Sequence, residues 1–199
     1  MNTEAIVSTI DSLKAIYTVL LALSLGEAFT QLVKSSPEKA ERVIQWNRML
    51  NLVPFLLLII PFIQGMDRYF FMVYKTDSRP IHYGGHLLWD CIVFTLEGSL
   101  FFVLARSLSQ ERWQRFYGTV IALLALDGIW GLTVFLRFHP PAVLSWLILD
   151  VVTLILVSAV RFIKNDANSW MAPIVCLIII LLRTGLDYYL SWNFYFPPS

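Results

Sequence analysis

Charge is scarce in this chain, and that scarcity sets its class. Asp, Glu, Lys and Arg make up only 15% of the 199 residues, against about 25% in an average soluble domain. The apolar share is 57% and the mean hydropathy is +0.66. Neither a soluble nor a disordered chain is composed this way. A net charge of +1 gives no electrostatic reason to bind nucleic acid directly.

Cysteine is scarce too. Cys91 and Cys176 lie in apolar segments without CxxC spacing, which excludes a disulfide framework and reads as two small core residues. Catalytic signatures are missing: there is no HExxH, no GxSxG, no glycine-rich phosphate loop and no Cys–His pair. Two membrane aspartates can share a proton as a proteolytic dyad, but Asp127 before Gly128 and Asp187 after Gly185 are the only hints of it. No basic leading region or small-residue cleavage site flanks the first apolar run, so no cleavable signal peptide is expected.

What is present is a set of long apolar runs. The most informative is His86 to Arg106, HLLWDCIVFTLEGSLFFVLAR. A helix of about twenty residues rises about 30 Å, the thickness of a bilayer's hydrocarbon core. Asp90 and Glu97 sit inside this run, two helical turns apart and therefore on one face. Spans are expected at about residues 13–33, 49–74, 86–107, 116–138, 142–163 and 171–192. The expected fold is all-α: a six-helix transmembrane bundle with short loops and no soluble domain, a single unit over residues 1–199.

Details of the runs predict how they pack. Thr18, Ala22, Gly26 and Thr30 recur at spacing four and form a small-residue stripe that lets another helix approach closely. Six short helices with such a stripe and no soluble domain make a thin bundle, which points to a homo-oligomer. Pro54 and Pro61 break the backbone ladder on one face of the second span, so a bend is expected there. The carbonyls they release need partners from neighbouring helices, polar side chains or water.

Loop charge predicts topology. Lys34, Lys39, Arg42, Arg48, Arg106, Arg112, Arg115, Arg161 and Lys164 follow spans one, three and five, whereas Lys75, Arg79 and Arg137 lie on the other side. The positive-inside rule makes the richer side cytoplasmic and puts both termini outside the cytoplasm, in a plasma or inner cell membrane. Trp46, Trp113, Trp146, Trp170 and Trp192 fall near span ends, as an aromatic belt requires, and the tail SWNFYFPPS reads as an interfacial end.

Every expected span carries an acid: Glu27, Asp67, Asp90 with Glu97, Asp127, Asp150 and Asp187. Each costs roughly 2.5–3.5 kcal/mol at the bilayer centre on insertion scales, so they should face one another, bases or water. Arg183 and Asp187 are four apart and can bridge; Asp150, Thr153 and Val157 form a stripe on one face. Acids outnumber buried bases, and the surplus would be protonated, solvated or occupied by cations. Asp90, Glu97, Asp127, Asp150, Arg183, Asp187 and Glu27 are therefore the candidate pathway or polar cavity. The plainer alternative is a set of interhelical hydrogen bonds that only hold the bundle together.

Two further constellations bear on function. His82, His86 and Asp90 are spaced i, i+4, i+8, which on a continuous helix suits zinc or iron. Gly84 and Gly85 lie between them, where a helix starts, and His139 is the only other histidine; the plainer reading is histidines at a wet interface. Lys39, Arg42, Arg48, Arg112 and Arg115 form a basic face for anionic lipid or a cytosolic protein partner. The first basic loop has the length for a short amphipathic helix. The residues identify no cofactor.

In architecture alone, six spans with a polar first helix resemble the small prokaryotic relatives of lysosomal potassium channels. The Arg and Phe-Ser-Asp motif of that family's first helix is absent from AIYTVLLALSLGEAF, so no residue roles carry over. The leading expectation is an ion or proton channel, or a small-solute transporter. Second comes a membrane sensor or anchor subunit that recruits a cytosolic partner through its basic loops. A membrane-embedded enzyme using the outer His/Asp cluster ranks third.

Overall fold

A bilayer core has no water to satisfy exposed backbone groups, so long apolar segments close their hydrogen bonds internally as helices. The computed structural model describes residues 3–35, 42–44, 48–75, 83–108, 113–139, 141–163 and 171–197. Among them, six helices are long and apolar enough to cross a membrane, and the protein has the architecture of a multi-pass membrane protein. These are α1 (Thr3–Leu32), α2 (Met49–Phe70), α3 (Tyr83–Ser107), α4 (Trp113–Phe138), α5 (Pro141–Ile163) and α6 (Met171–Leu190). A four-residue helix, α7 (Trp192–Tyr195), follows α6.

The helices close a ring: α1 packs on α3, α3 on α4, α4 on α5, α5 on α6, α6 on α2, and α2 returns to α1. The outer surface is apolar, with Leu88, Ile92 and Leu96 of α3 and Ile148, Val152 and Ile155 of α5 exposed. Inside lie aromatic side chains and most of the chain's span acids. Hydroxyls on the outer faces are satisfied within their own helices: Thr18 donates to the Lys14 carbonyl oxygen, Thr30 to that of Gly26 and Thr95 to that of Cys91. Such back-bonding hides a hydroxyl from lipid.

Two contacts fix how closely the helices approach. A methyl group added at Gly98 would lie 2.9 Å from both Cβ and Cδ1 of Leu20, so α1 reaches α3 only because that position has no side chain. On α2, Pro61 has no N–H to offer the carbonyl of Leu57, and the Thr184 hydroxyl of α6 donates to that oxygen at 3.1 Å. The partner that proline chemistry requires thus comes from the neighbouring helix.

Several expectations change. Helix α1 starts at Thr3, ten residues before the expected span begins at Leu13, so about three further turns continue outward from it. Both prolines lie within the uninterrupted helix α2; the irregularity falls beyond them, where Phe71–Lys75 form a π-helical turn. The first basic loop does not supply a helix at its described ends. Val33–Ser35 (β1) pairs antiparallel with Arg42–Ile44 (β2), with Val33 opposite Ile44, as β-branched residues favour. Of the tryptophans near span ends, Trp113 and Trp146 are buried against the bundle and Trp192 is exposed; Trp46 and Trp170 lie outside the described residues. The α4–α5 turn reverses at His139, whose φ of 53° ends α4 in the left-handed conformation. Pro141 then opens α5, where a missing N–H does no harm.

Candidate functional site: an acid-lined interior

The α3 spacing puts Asp90 and Glu97 on one face, and both are buried. Their surroundings differ. Asp90 accepts three hydrogen bonds: from the Tyr74 hydroxyl at 2.6 Å, the Trp130 indole N–H at 2.9 Å and the Tyr69 hydroxyl at 3.0 Å. The donors come from the end of α2, the π-helical turn and α4, and their rings pack together: Tyr69 meets Trp130 at 4.9 Å and Phe94 meets Trp130 at 5.3 Å between centroids. Asp90 therefore joins three segments through neutral donors.

Arg183 of α6 organises a second set. Its Nη2 and Nε both donate to Oδ1 of Asp150, at 2.7 and 3.2 Å, and its Nη1 lies 3.7 Å from Oδ2 of Asp187. The guanidinium also stands 5.8 Å from the Phe62 ring centroid. The i, i+4 pair on α6 is thus the looser contact, and the tight one crosses to α5. Asp150, Thr153 and Val157 all face inward. Beyond the end of α6, the Tyr195 hydroxyl donates to Oδ2 of Asp187 at 3.0 Å. Burial, reinforced by the Asp187 carboxylate, pushes the Tyr195 phenol up and keeps it a donor. Within the aromatic tail, Trp192 and Phe196 are exposed while Tyr195 is buried and reaches the site.

Between these two sets lies a cavity of about 30 Å³, lined among others by Glu97, Asp127, Trp146, Arg183, Asp187 and Tyr195. Glu97 is 0% exposed, and neither of its carboxyl oxygens has a hydrogen-bond partner among the described residues. Tyr17 of α1, Asp127 of α4 and Asp150 of α5 are its polar neighbours. Asp127 is half-buried and lines the same cavity. Arg183 Nη1, Asp187 Oδ1, Trp146 Nε1 and the Tyr17 hydroxyl are likewise buried without hydrogen-bond partners among the described residues. Four carboxyl groups (Glu97, Asp127, Asp150 and Asp187) thus share one guanidinium.

Glu27 stands apart from this cluster. It accepts from Gln31 Nε2 at 2.7 Å and lies 3.8 Å from Arg106 on α3, so it ties helix ends rather than lining the cavity. Asp67, half exposed, pairs with Lys14. Of the basic residues expected to face a partner, Arg48 donates to the backbone oxygen of Gln31 and Arg115 is exposed. The side chain of Arg42 falls outside the described residues, as do Lys39 and Arg112.

Among the described residues no three His, Cys, Asp or Glu side chains group to hold a metal, and the expected set of His82, His86 and Asp90 is not described in full. Asp90 has its acceptors engaged, His86 packs edge-on to Phe138 with centroids 6.2 Å apart, and His82 lies outside the described residues. His86 instead borders an open groove of about 610 Å³ between α3 and α4, with Trp89, Thr133 and Arg137.

The sequence singled out the acids but missed their partners. Tyr17, Tyr69, Tyr74, Trp130 and Tyr195 are unremarked aromatics in an aromatic-rich chain. Tyr17 gave the one available signal: it recurs at helical spacing with Ile10, Leu13 and Leu21, and all four are buried. No protein-family model, curated protein or solved structure matches this chain, so the geometry of the interior carries the functional argument.

Proposed function

We propose that this protein passes a small cation, either an ion or a proton, across a membrane through the acid-lined interior of its helix ring. The observation that carries the reading is Glu97: a wholly buried carboxyl with both oxygens lacking donors, facing two more acids across a small cavity. A purely structural acid is expected to look like Asp90, saturated with donors. Ionisable groups inside membrane segments mark ion and proton pathways by default. A cavity of about 30 Å³ is far below the roughly 300 Å³ at which small-molecule pockets begin, so transport of a larger solute is the weaker variant.

The assembly proposed is a homo-oligomer with both termini outside the cytoplasm. The stripe of Thr18, Ala22, Gly26 and Thr30 faces outward, and nothing lies within 4 Å of a methyl group placed on Gly26. That face is thus left for a second copy to meet. The alternative reading is a sensor or anchor subunit that recruits a cytosolic protein through its basic loops. Asp90 with three donors and Arg183 clamped on Asp150 are what favour it.

The test is flux through liposomes containing the purified protein, with pH- and potassium-sensitive dyes. Flux lowered at least about tenfold by Glu97→Gln, at near-normal folded yield, supports a pathway. Flux that Glu97→Gln and Asp127→Asn both leave unchanged rejects it.

A further inference from the structure

The central cavity offers polar atoms of both kinds. Glu97 contributes two acceptor oxygens and Asp187 one; Arg183 Nη1 and Trp146 Nε1 are donors. All are buried, and all lack hydrogen-bond partners among the described residues. A water molecule needs roughly 10–15 Å³ of probe-occupied space and two to four polar partners. At about 30 Å³, the cavity suits one or two waters. A hydrated metal cation carries several more, and a bare one needs a full oxygen shell in their place.

Aromatic side chains line the rest of the cavity: Phe94 and Trp130, with ring centroids 5.3 Å apart, and Phe62, which packs edge-on to Phe101 at 5.1 Å. Charge supplies the remaining constraint. The groups facing Glu97 are Tyr17, Asp90, Asp127 and Asp150, with Arg183 already bound to Asp150. No cation is paired with Glu97 among the described residues, where Tyr17 and Asp127 are its nearest possible donors, and an isolated buried carboxylate is costly.

We propose that this cavity is a proton-binding site, in which Glu97 carries an exchangeable proton and passes it to Asp127 or Asp187 through cavity water. This rests on the reading of the interior as a cation pathway and names the cation. In each transfer the carboxylic O–H of Glu97 breaks and its proton joins the water oxygen. A different proton of that water then forms the O–H of the acceptor carboxylate, so atoms and charge balance. Arg183 engages Asp150 through two hydrogen bonds, which leaves Asp127 and Asp187 as the acceptors that line the cavity. Tyr195 orients Asp187 by donating to its other oxygen.

Infrared spectroscopy of the purified protein tests this without requiring flux. A protonated carboxyl gives a C=O stretching band that shifts down in heavy water. The wild type should show it, Glu97→Gln should lose the intensity of one carboxyl group, and Glu97→Asp should retain a shifted band. Asp67→Asn, at the surface, should leave it unchanged. A wild-type spectrum without the band, or an unchanged band in Glu97→Gln, overturns the proposal. So does thermal stabilisation by sodium or potassium chloride over choline chloride that Glu97→Gln removes, since the occupant would then be a metal cation. Flux without the band leaves the permeation reading standing and removes this one. The band without flux keeps the proton site and removes permeation.

Discussion

The hydroxyl of Thr184 donates to the carbonyl oxygen of Leu57 at 3.1 Å, the carbonyl that Pro61 leaves without its helical N–H. One residue's chemistry on α2 therefore dictates another's on α6. Thr184→Val should destabilise the bundle by about 0.5–2 kcal/mol, the range for a buried interhelical hydrogen bond. With Pro61→Ala the helix recovers its own donor, and the same Thr184 change should then cost little. Thermal unfolding of the four proteins in detergent measures the cycle. Equal losses in the two backgrounds would mean that the threonine does not serve the proline.

Gly98 makes a steric prediction. Its missing Cβ would stand 2.9 Å from the Cβ of Leu20, an atom that cannot swing aside. Gly98→Ala should therefore destabilise by about 1–3 kcal/mol, the usual penalty for overpacking. Leu20→Ala in the same chain should recover part of it. If Gly98→Ala alone melts with the wild type, α1 and α3 are not packed this closely.

Gly26 gives the contrasting case, because it lies on α1 and faces open space. Gly26→Leu should leave the melting of the single chain nearly unchanged while weakening self-association across the small-residue stripe. Crosslinking in membranes and native mass spectrometry read the two effects separately. A chain that runs as a monomer before and after the change would end the homo-oligomer proposal.

Six spans and buried acids were legible in the sequence because hydropathy and charge are local properties. A twenty-residue apolar run announces itself, and a carboxyl within it must turn inward. What the acids turn toward was not legible. Asp90 and Glu97 are the same chemistry at one heptad's spacing, yet one accepts from Tyr69, Tyr74 and Trp130 and the other has only Tyr17 and acids beside it. That difference depends on which aromatic of α2 and α4 reaches α3, and ring closure decides this, not local pattern. For the same reason the burial of Trp113 and Trp146, near span ends, was not legible. Glu27 lies in an apolar span as the core acids do, and only its partners Gln31 and Arg106, at helix ends, set it apart.

Arg183 tests how the ionic core is held. Removing it leaves Asp150 and Asp187 buried without their cation, and breaking a buried pair costs about 3–5 kcal/mol. Arg183→Gln should aggregate on mild heating, as size-exclusion chromatography would detect. Arg183→Lys should rescue only part of the loss, since an ammonium cannot reproduce the contact made by both Nε and Nη2 with Asp150. Pairing Arg183→Met with Asp150→Leu should be better tolerated than either change alone, because no charge is then left unmatched between those two positions. Additive losses in the double variant would show that the two side chains do not act as a pair.

The two acids of α3 allow the sharpest separation of structure from function. Asp90→Asn keeps the shape but puts an amide nitrogen, itself a donor, where one of the three donors now points. It should lower folded yield and melting temperature, and Trp130→Phe should do so less, by about the 1.5–3 kcal/mol of one hydrogen bond to a charged group. Glu97→Gln should behave oppositely, because it breaks no existing hydrogen bond and lets the new amide use the cavity's donors and acceptors. Its fold should be kept and its flux lost. If both variants cost stability equally and neither alters flux, Glu97 is a clamp like Asp90, and the basic loops become the place to look for function. If stability follows Asp90 and flux follows Glu97, one helix face carries a fastening and a pathway two turns apart.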